Sequence, residues 1–385
     1  MPRAVATAYR PAWAEIDSGA VRANVALLRR IVAPSRLCAV VKADGYGHGS
    51  VAVARAALAG GASMLAVATV EEAITLREAG IEAPVLLLTE APAGGIGALL
   101  AARVTPTVYS AAGIALAAAA AERLRRPVAV HLKVDTGMHR LGADEADVSA
   151  LATMVAESRS LSLGGLWTHF AVADEPGDPF TAVQIGRFEA TVAALRTAGH
   201  HPAVLHAANS AGAIAYPESR YDLVRCGIAC YGYAPSPPVA EALGALVGPG
   251  EGLEPALSLK AVVHSVRRLA AGERTSYGRT YTLAQDAFVA DVPLGYADGV
   301  RRQLGALGGE VLIAGRRRPI AGTVTMDQLL VDCGESGDVQ PGDEVVLIGR
   351  QGAEEITAEE WAERLGTIAY EVLCGIGPRV PRRVV

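Results

Sequence analysis

Residues 40–50 read VVKADGYGHGS: an apolar run ends on Lys42 and passes into three glycines, Gly45, Gly47 and Gly49, each separated by one residue. Residues 37–41 make a buried-strand pattern, and a helical pattern follows from residue 50 to 58. The turn between them lacks the G-x-G-x-x-G spacing that opens a dinucleotide-binding doubly wound sheet. Seven more short apolar runs follow, at 64–68, 85–88, 105–109, 128–134, 161–168, 204–206 and 222–225. Helical patterns separate them, at 70–79, 97–102, 111–124, 146–157, 180–197 and 210–214. Strands that alternate with helices pair in parallel, because a parallel pair needs a crossover. Eight such units close into an α/β barrel of the (β/α)8 type, which this pattern favours over an open doubly wound sheet.

The texture changes after about residue 255. Helical periodicity fades, and β-rich runs appear at 257–266, 287–293, 310–313, 329–332 and 344–348, with Pro341, Gly342 and Asp343 among the turn residues between them. The sequence therefore divides into a barrel domain, residues 1–245, and a mainly β C-terminal domain, residues 246–385. The extreme N-terminal segment is a candidate to pack with the β domain. The Pro-rich APSPP segment, residues 234–238, reads as a linker just before the change.

Composition narrows the class. A net charge of −5 with no basic run argues against nucleic acid as the main partner. The first thirteen residues lack the apolar core of a signal peptide, and the alanine-rich run 111–121 is too short to span a bilayer. Five scattered cysteines make no disulfide framework, and Cys226 and Cys230 have no second pair to complete a zinc site. A cytoplasmic protein without a metal is the expectation. The chain holds only three lysines, Lys42, Lys133 and Lys260, among 35 basic residues. A GC-rich genome accounts for the arginine bias, but it makes the positions that keep lysine informative.

Barrels build their sites at the C-terminal ends of the strands. Lys42 ends the first strand; Lys133, with Arg140 shortly after, ends the fifth; His169 ends the sixth. His206 ends the seventh, followed by Asn209 and Ser210, and Arg225 ends the eighth, followed by Gly227 and Ile228. A lysine at the end of a buried strand is desolvated, which favours the neutral amine that attacks carbonyls. Pyridoxal phosphate is the cofactor that most often needs such a lysine. Its phosphate would meet the Ser210 hydroxyl, the amides around Gly227 and Ile228, and the Tyr46 hydroxyl. Taken singly, each residue has a plainer reading: a snorkelling lysine, two satisfied core histidines, a rim ion pair for Arg225. Their coincidence on one rim favours the site.

The motifs VVKADGYGHG, HLKVDTGMHRLG, THFA, HAANS, VRCGIACYG, SYGRTY, PLGYADGVRR, TVTMDQ and YEVLC…RVPR resemble those of alanine racemases, in family order and over nearly the whole chain. The resemblance implies that Lys42 holds pyridoxal 5'-phosphate covalently. It implies that Tyr46, Ser210, Gly227, Ile228 and Tyr370 bind the phosphate and that Arg225 faces the pyridine nitrogen. His206 would buttress Arg225, and His169 would link it to the second catalytic group. Two bases would work on opposite faces of the substrate: Lys42 for D-alanine, and Tyr277, from the other subunit of a homodimer, for L-alanine. Arg140 would meet the cofactor's phenolic oxygen and the substrate carboxylate, and the partner's Met326 N–H would hold the same carboxylate. Lys133 would be carbamylated and orient Arg140, while Asn209 and Asp327 would play supporting parts. The product would supply D-alanine for peptidoglycan. His139 and Thr325 depart from the residues common at their positions, next to Arg140 and Met326.

Three other readings stay open. A pyridoxal-phosphate carrier would resemble the barrel alone and would not need Tyr277 and Met326. A decarboxylase of the same plan would place an acid, not Arg225, at the ring nitrogen. A serine or broad-specificity racemase is separated from an alanine enzyme by only about 1–3 kcal/mol for a methylene or hydroxyl.

Overall fold

The computed structural model describes residues 9–385, so the leaderless reading of the N-terminus falls in large part on residues outside those described. The chain forms two compact units: one comprises Gly19–Gly45 and Gly49–Glu254, and the other residues 9–18, Tyr46–His48 and Pro255–Val385.

Strand β1 (Ala12–Ile16) belongs to the second unit, and the eight strands of the first follow it. They are β2 (Arg36–Val40), β3 (Met64–Val67), β4 (Val85–Glu90), β5 (Thr105–Val108), β6 (Val128–Lys133), β7 (Leu161–Trp167), β8 (Val204–His206) and β9 (Leu223–Cys226). All pair in parallel, in the order β8-β7-β6-β5-β4-β3-β2-β9. Between β8 and β9 the ladder is replaced by separate bonds. Asp222 N donates to Leu205 O at 3.1 Å, Arg225 N to Ala208 O at 2.9 Å, and Leu205 N to Asp222 Oδ2 at 2.7 Å. The barrel is thus nearly closed, as the eight alternating units predicted. The run Leu37–Cys38–Ala39–Val40 is buried on both faces, because helices cover the outside of the barrel.

The helices begin where the sequence offers an oxygen for the orphan amides. Thr69 caps Val70–Glu78, Ser110 caps Ala111–Arg123, and Asn209 caps Ser210–Ala215 through a bond from Gly212 N at 2.9 Å. One helix absent from the sequence reading, Ser18–Val32, precedes the barrel and buries Val21, Val25, Leu28 and Val32 along one face. Its buried Asn24 donates to Glu254 O at 2.8 Å and accepts from Glu254 N at 2.8 Å. The APSPP stretch is a correction: it is no simple linker. Ser236 caps a helix, Pro237–Leu246, whose opening prolines occupy positions where an amide is not needed.

The second unit is mainly β. One sheet runs Arg316–Pro319, Glu310–Ile313, Glu344–Gln351, Leu257–Val262, β1, Arg382–Val384, with β1 antiparallel to Leu257–Val262 and parallel to Arg382–Val384. A second sheet joins Ser265–Leu269, Ala287–Val292 and Leu329–Asp332. The β-rich run over 257–266 is therefore split between two strands in different sheets. Two helices, Ala358–Leu365 and Ala369–Cys374, interrupt the β pattern. All five cysteines are free, and no helix among the described residues is long and apolar enough to cross a membrane.

Candidate active site

Lys42 follows β2 directly, and the chain then turns the wrong way for L-residues. Ala43, Asp44 and Gly45 all have left-handed conformations, with φ of 52°, 51° and 63°. Each such residue with a Cβ costs roughly 1–2 kcal/mol. Backbone strain of this kind collects at functional sites when the surroundings hold it in place. Gly45 N donates to Val41 O at 3.0 Å, Gly49 N to Asp44 O at 2.8 Å, and Ser50 N to Asp44 Oδ1 at 2.8 Å. The bonds fold the loop back, so the glycine-rich motif is a device that turns the chain sharply beside the lysine.

Arg225, on β9, is buried at 3% exposure and lies at the centre of a polar cluster in the barrel. Its Nη1 donates to His206 Nδ1 at 2.9 Å. Its Nη2 donates to Thr168 O at 2.7 Å and Ala207 O at 2.9 Å, and lies 3.3 Å from His169 Nδ1. The Trp167 ring receives the guanidinium on its face at 4.6 Å and stacks on His206, with ring centroids 5.5 Å apart. Lys133 Nζ, at the end of β6, sits 4.7 Å from the centroid of the same Trp167 ring. His131, two residues earlier, completes the cluster with its Nδ1 2.9 Å from His206 Nε2.

This concentration of positive charge and burial shifts the titrations. Burial, reinforced by Arg225 and Arg140, pushes the Lys133 ammonium down to about 8. Burial and Arg225 hold His169 and His206 well below the ordinary imidazole value, and take His131 down to about 4. Burial lowers Arg225 itself to about 10, so it remains charged at neutral pH. Arg140 lies in the loop after β6, exposed, beyond a turn in which Asp135 Oδ1 accepts from Gly137 N at 2.9 Å and His139 N at 3.0 Å.

A second group of donors lies past β8 and β9. The buried Ser210 Oγ accepts from Gly227 N at 2.9 Å and from Ala229 N at 3.4 Å. Asn209 spends its side chain on the helix cap. In the other unit the rings of Tyr46 and Tyr370 meet at 6.1 Å. Gly47 lies where an added Cβ would come within 2.3 Å of Leu373 O, so only glycine fits there. Tyr277 and Met326 are 69% and 53% exposed. Thr323 Oγ1 donates to Tyr277 O at 3.0 Å, and Asp327 Oδ1 accepts from Arg379 Nη2 at 2.7 Å.

The structure thus brings Lys133, His169, His206 and Arg225 into one cluster, and Ser210 to the amides at Gly227. Lys42 lies just past the end of β2, and Arg140 lies in the loop after β6. The sequence reading missed Trp167 and His131, which organise the cluster. The alternation in HLK was the available signal: His131 and Lys133 lie two residues apart on one strand, so they face the same way.

These donors suit an anionic, aromatic cofactor. Ser210 accepts two amide bonds, and among the described residues its own hydroxyl proton is given to no acceptor. Arg225 uses Nη1 and Nη2, and no bond among the described residues uses its Nε. A phosphate oxygen fits the first and a ring nitrogen the second.

Comparison with known proteins follows the same division. The family "Alanine racemase, N-terminal domain" matches residues 16–235, and "Alanine racemase, C-terminal domain" matches residues 256–384. The chain is 48% identical to an alanine racemase of Symbiobacterium thermophilum, over 97% of each chain. It is 46% identical to one of Frankia casuarinae, over 97% of this chain and 96% of that one. Among solved structures, alanine racemase from the D-cycloserine-producing Streptomyces lavendulae superposes with a TM-score of 0.90 at 41% identity, covering 98% of this chain and 97% of that one. The Streptomyces coelicolor A3(2) enzyme gives 0.91 at 40% identity, covering 99% of both.

Proposed function

Because the chain belongs to the alanine racemase family, we infer that it interconverts L-alanine and D-alanine with pyridoxal 5'-phosphate bound at the barrel rim. The observation that carries this reading is the buried Arg225, which keeps its charge beside neutral histidines and leaves its Nε–H unspent among the described residues. When bound, the cofactor supplies an electron sink that acidifies the substrate Cα–H.

The residues then divide the work. Lys42 would hold the cofactor covalently, and its amine, once free of it, would take or return the proton at Cα on one face. The Tyr277 phenol, from the partner of a homodimer, does the same on the opposite face. Two groups on opposite faces let a proton leave one side and arrive on the other, which is what inversion at Cα requires. Arg225 would meet the ring nitrogen with its Nε–H and would not give up that proton, because a guanidinium stays charged. Ser210, Gly227, Ile228, Tyr46 and Tyr370 would hold the phosphate. Arg140 and the Met326 N–H orient the substrate carboxylate. A carbamate on Lys133 orients Arg140, and Asn209 and Asp327 fix the loops on which these groups stand. In this reading residues 1–245 supply most of the cofactor site, joined by Tyr370, and residues 246–385 also serve the partner's site through Tyr277 and Met326. The setting is the cytoplasm and the product feeds peptidoglycan synthesis.

The test is a visible spectrum of the purified chain with and without L-alanine, followed by chiral analysis of the product. Lys42→Ala should lose both the covalently bound cofactor and racemisation. A Lys42→Ala variant that racemises alanine at the normal rate would remove the assignment.

A further inference from the structure

Glu72 stands in the first turn of the helix Val70–Glu78, and its carboxylate does two separate things. The first is local. Glu72 N donates to Thr69 Oγ1 at 3.2 Å, while Glu72 Oε2 accepts from Thr69 N at 3.2 Å and from Ala68 N at 2.8 Å. That is a capping box, and one carboxylate oxygen is enough for it. The second oxygen reaches another strand end: Glu72 Oε1 accepts from Ala43 N at 2.6 Å. The Ala43 amide belongs to the peptide bond that joins Ala43 to Lys42, at the first residue of the left-handed turn. Residues with a Cβ resist that conformation, so something must hold the turn. Asp44 and Val41 tie its far side through Ser50, Gly49 and Gly45. At the lysine's own peptide the tether is Glu72.

The geometry points to Glu72 as a positioning residue for Lys42: its Oε1 fixes the Lys42–Ala43 peptide to the end of β3 and so aims the lysine side chain. This rests on the reading of Lys42 as the residue that carries the cofactor. It adds a requirement that the capping role alone does not make, namely a carboxylate with two acceptor oxygens instead of any residue that caps a helix.

Glu72→Gln separates the two roles. Glutamine serves a capping box as well as glutamate does. Its one carbonyl oxygen is drawn to the two amides of Ala68 and Thr69. Its NH2 then faces the Ala43 N–H, donor against donor. The expected result with the purified full-length chain is an unfolding midpoint close to wild type. The rate at which Lys42 captures added pyridoxal phosphate, trapped by borohydride and read as the modified Lys42 peptide, should fall several-fold to about tenfold. The kcat should fall with it, and KM for alanine should move little. Ala43→Gly placed in the Glu72→Gln background should restore the capture rate, because glycine enters the left-handed turn without penalty. Capture at the wild-type rate in Glu72→Gln overturns the proposal. A loss that Ala43→Gly leaves uncorrected also overturns it and assigns Glu72 to the helix start alone. A wild-type chain that captures no cofactor at Lys42 would instead overturn the reading of Lys42, so the two failures are distinguishable.

Discussion

Arg225 Nη1 donates to His206 Nδ1 at 2.9 Å, and this bond orients three side chains. A guanidinium has only donors, so His206 Nδ1 must be the acceptor. Burial and Arg225 keep His206 neutral, which places its one proton on Nε2. That N–H then donates to His131 Nδ1 at 2.9 Å, and the proton of His131 is fixed on its own Nε2. The chain of bonds runs outward from the arginine and contains no carboxylate; among the described residues no acidic side chain pairs with Arg225. A buried cation without a counter-ion is costly unless hydrogen bonds replace its water. Here the carbonyl oxygens of Thr168 and Ala207 and the face of Trp167 do so. The charge stays available to an anion or a ring nitrogen.

The buried histidines make stability depend on pH. His131 and His206 have folded values below the ordinary 6.5, so the unfolded chain binds more protons at acidic pH. The contribution of His131 is complete above about 6.5 and is lost as pH falls from there towards about 4. The unfolding free energy read from denaturant titration should therefore drop over that window, by up to about 1.4 kcal/mol per pH unit for each histidine. His131→Gln, which keeps a donor and an acceptor but does not titrate, should flatten the slope. An identical pH slope in wild type and variant would show that His131 is not the group concerned.

Lys133 is the second titration to test. Burial, with Arg225 and Arg140, brings its ammonium down to about 8, so a substantial fraction is the neutral amine near pH 8. Only the neutral amine adds carbon dioxide. The carbamate would exchange a cation for an anion next to two arginines. Native mass spectrometry should find the chain heavier by one carbon dioxide per subunit, lost on acidification. Lys133→Ala should raise KM for alanine by about tenfold through the loss of a charge-assisted partner for Arg140. An unmodified mass under native conditions would dispose of the carbamate.

Gly295 bears on the Met326 turn. A Cβ there would lie 2.4 Å from the carbonyl oxygens of both Thr325 and Met326. Those oxygens accept from Tyr296 N at 2.9 Å and Ala297 N at 3.0 Å, which sets the plane of the peptide presenting the Met326 amide. Gly295→Ala should push that peptide aside and lower kcat/KM for alanine by roughly 10- to 100-fold. Capture of cofactor by Lys42 should be unaffected. Loss of both together would indicate a folding defect.

The barrel was legible because its signal is repeated. Eight apolar runs of three to eight residues, with helices between, favour a closed parallel barrel, and Lys42, Lys133, His206 and Arg225 fall on one rim by strand register. The helix Ser18–Val32 was missed although its apolar positions recur every three to four residues, because it precedes the first recognised strand. The APSPP segment misled because proline signals both a linker and the first turn of a helix, and only the Ser236 cap separates the two. Trp167 and Glu72 were illegible for another reason. Their roles depend on what lies across the barrel or on the next strand end, and no local pattern records that.

The proposed homodimer is open to a test that needs no structure of it. Tyr277 and Met326 stand exposed on this chain, as residues that serve a neighbour would. If Lys42 of one subunit works with Tyr277 of the other, Lys42→Ala and Tyr277→Phe should each be inactive as homodimers, by roughly 10²–10⁴-fold. A heterodimer of the two variants contains one site with both residues intact and one with neither. Co-expressed with different tags and purified for both, it should recover about half the wild-type activity, as the two-fold symmetry of such a dimer requires. If both residues instead came from the same chain, each site in the heterodimer would lack one of them and the mixture would stay inactive. Analytical ultracentrifugation of the same sample must show a dimer, since an inactive monomer would say nothing about which subunit supplies Tyr277.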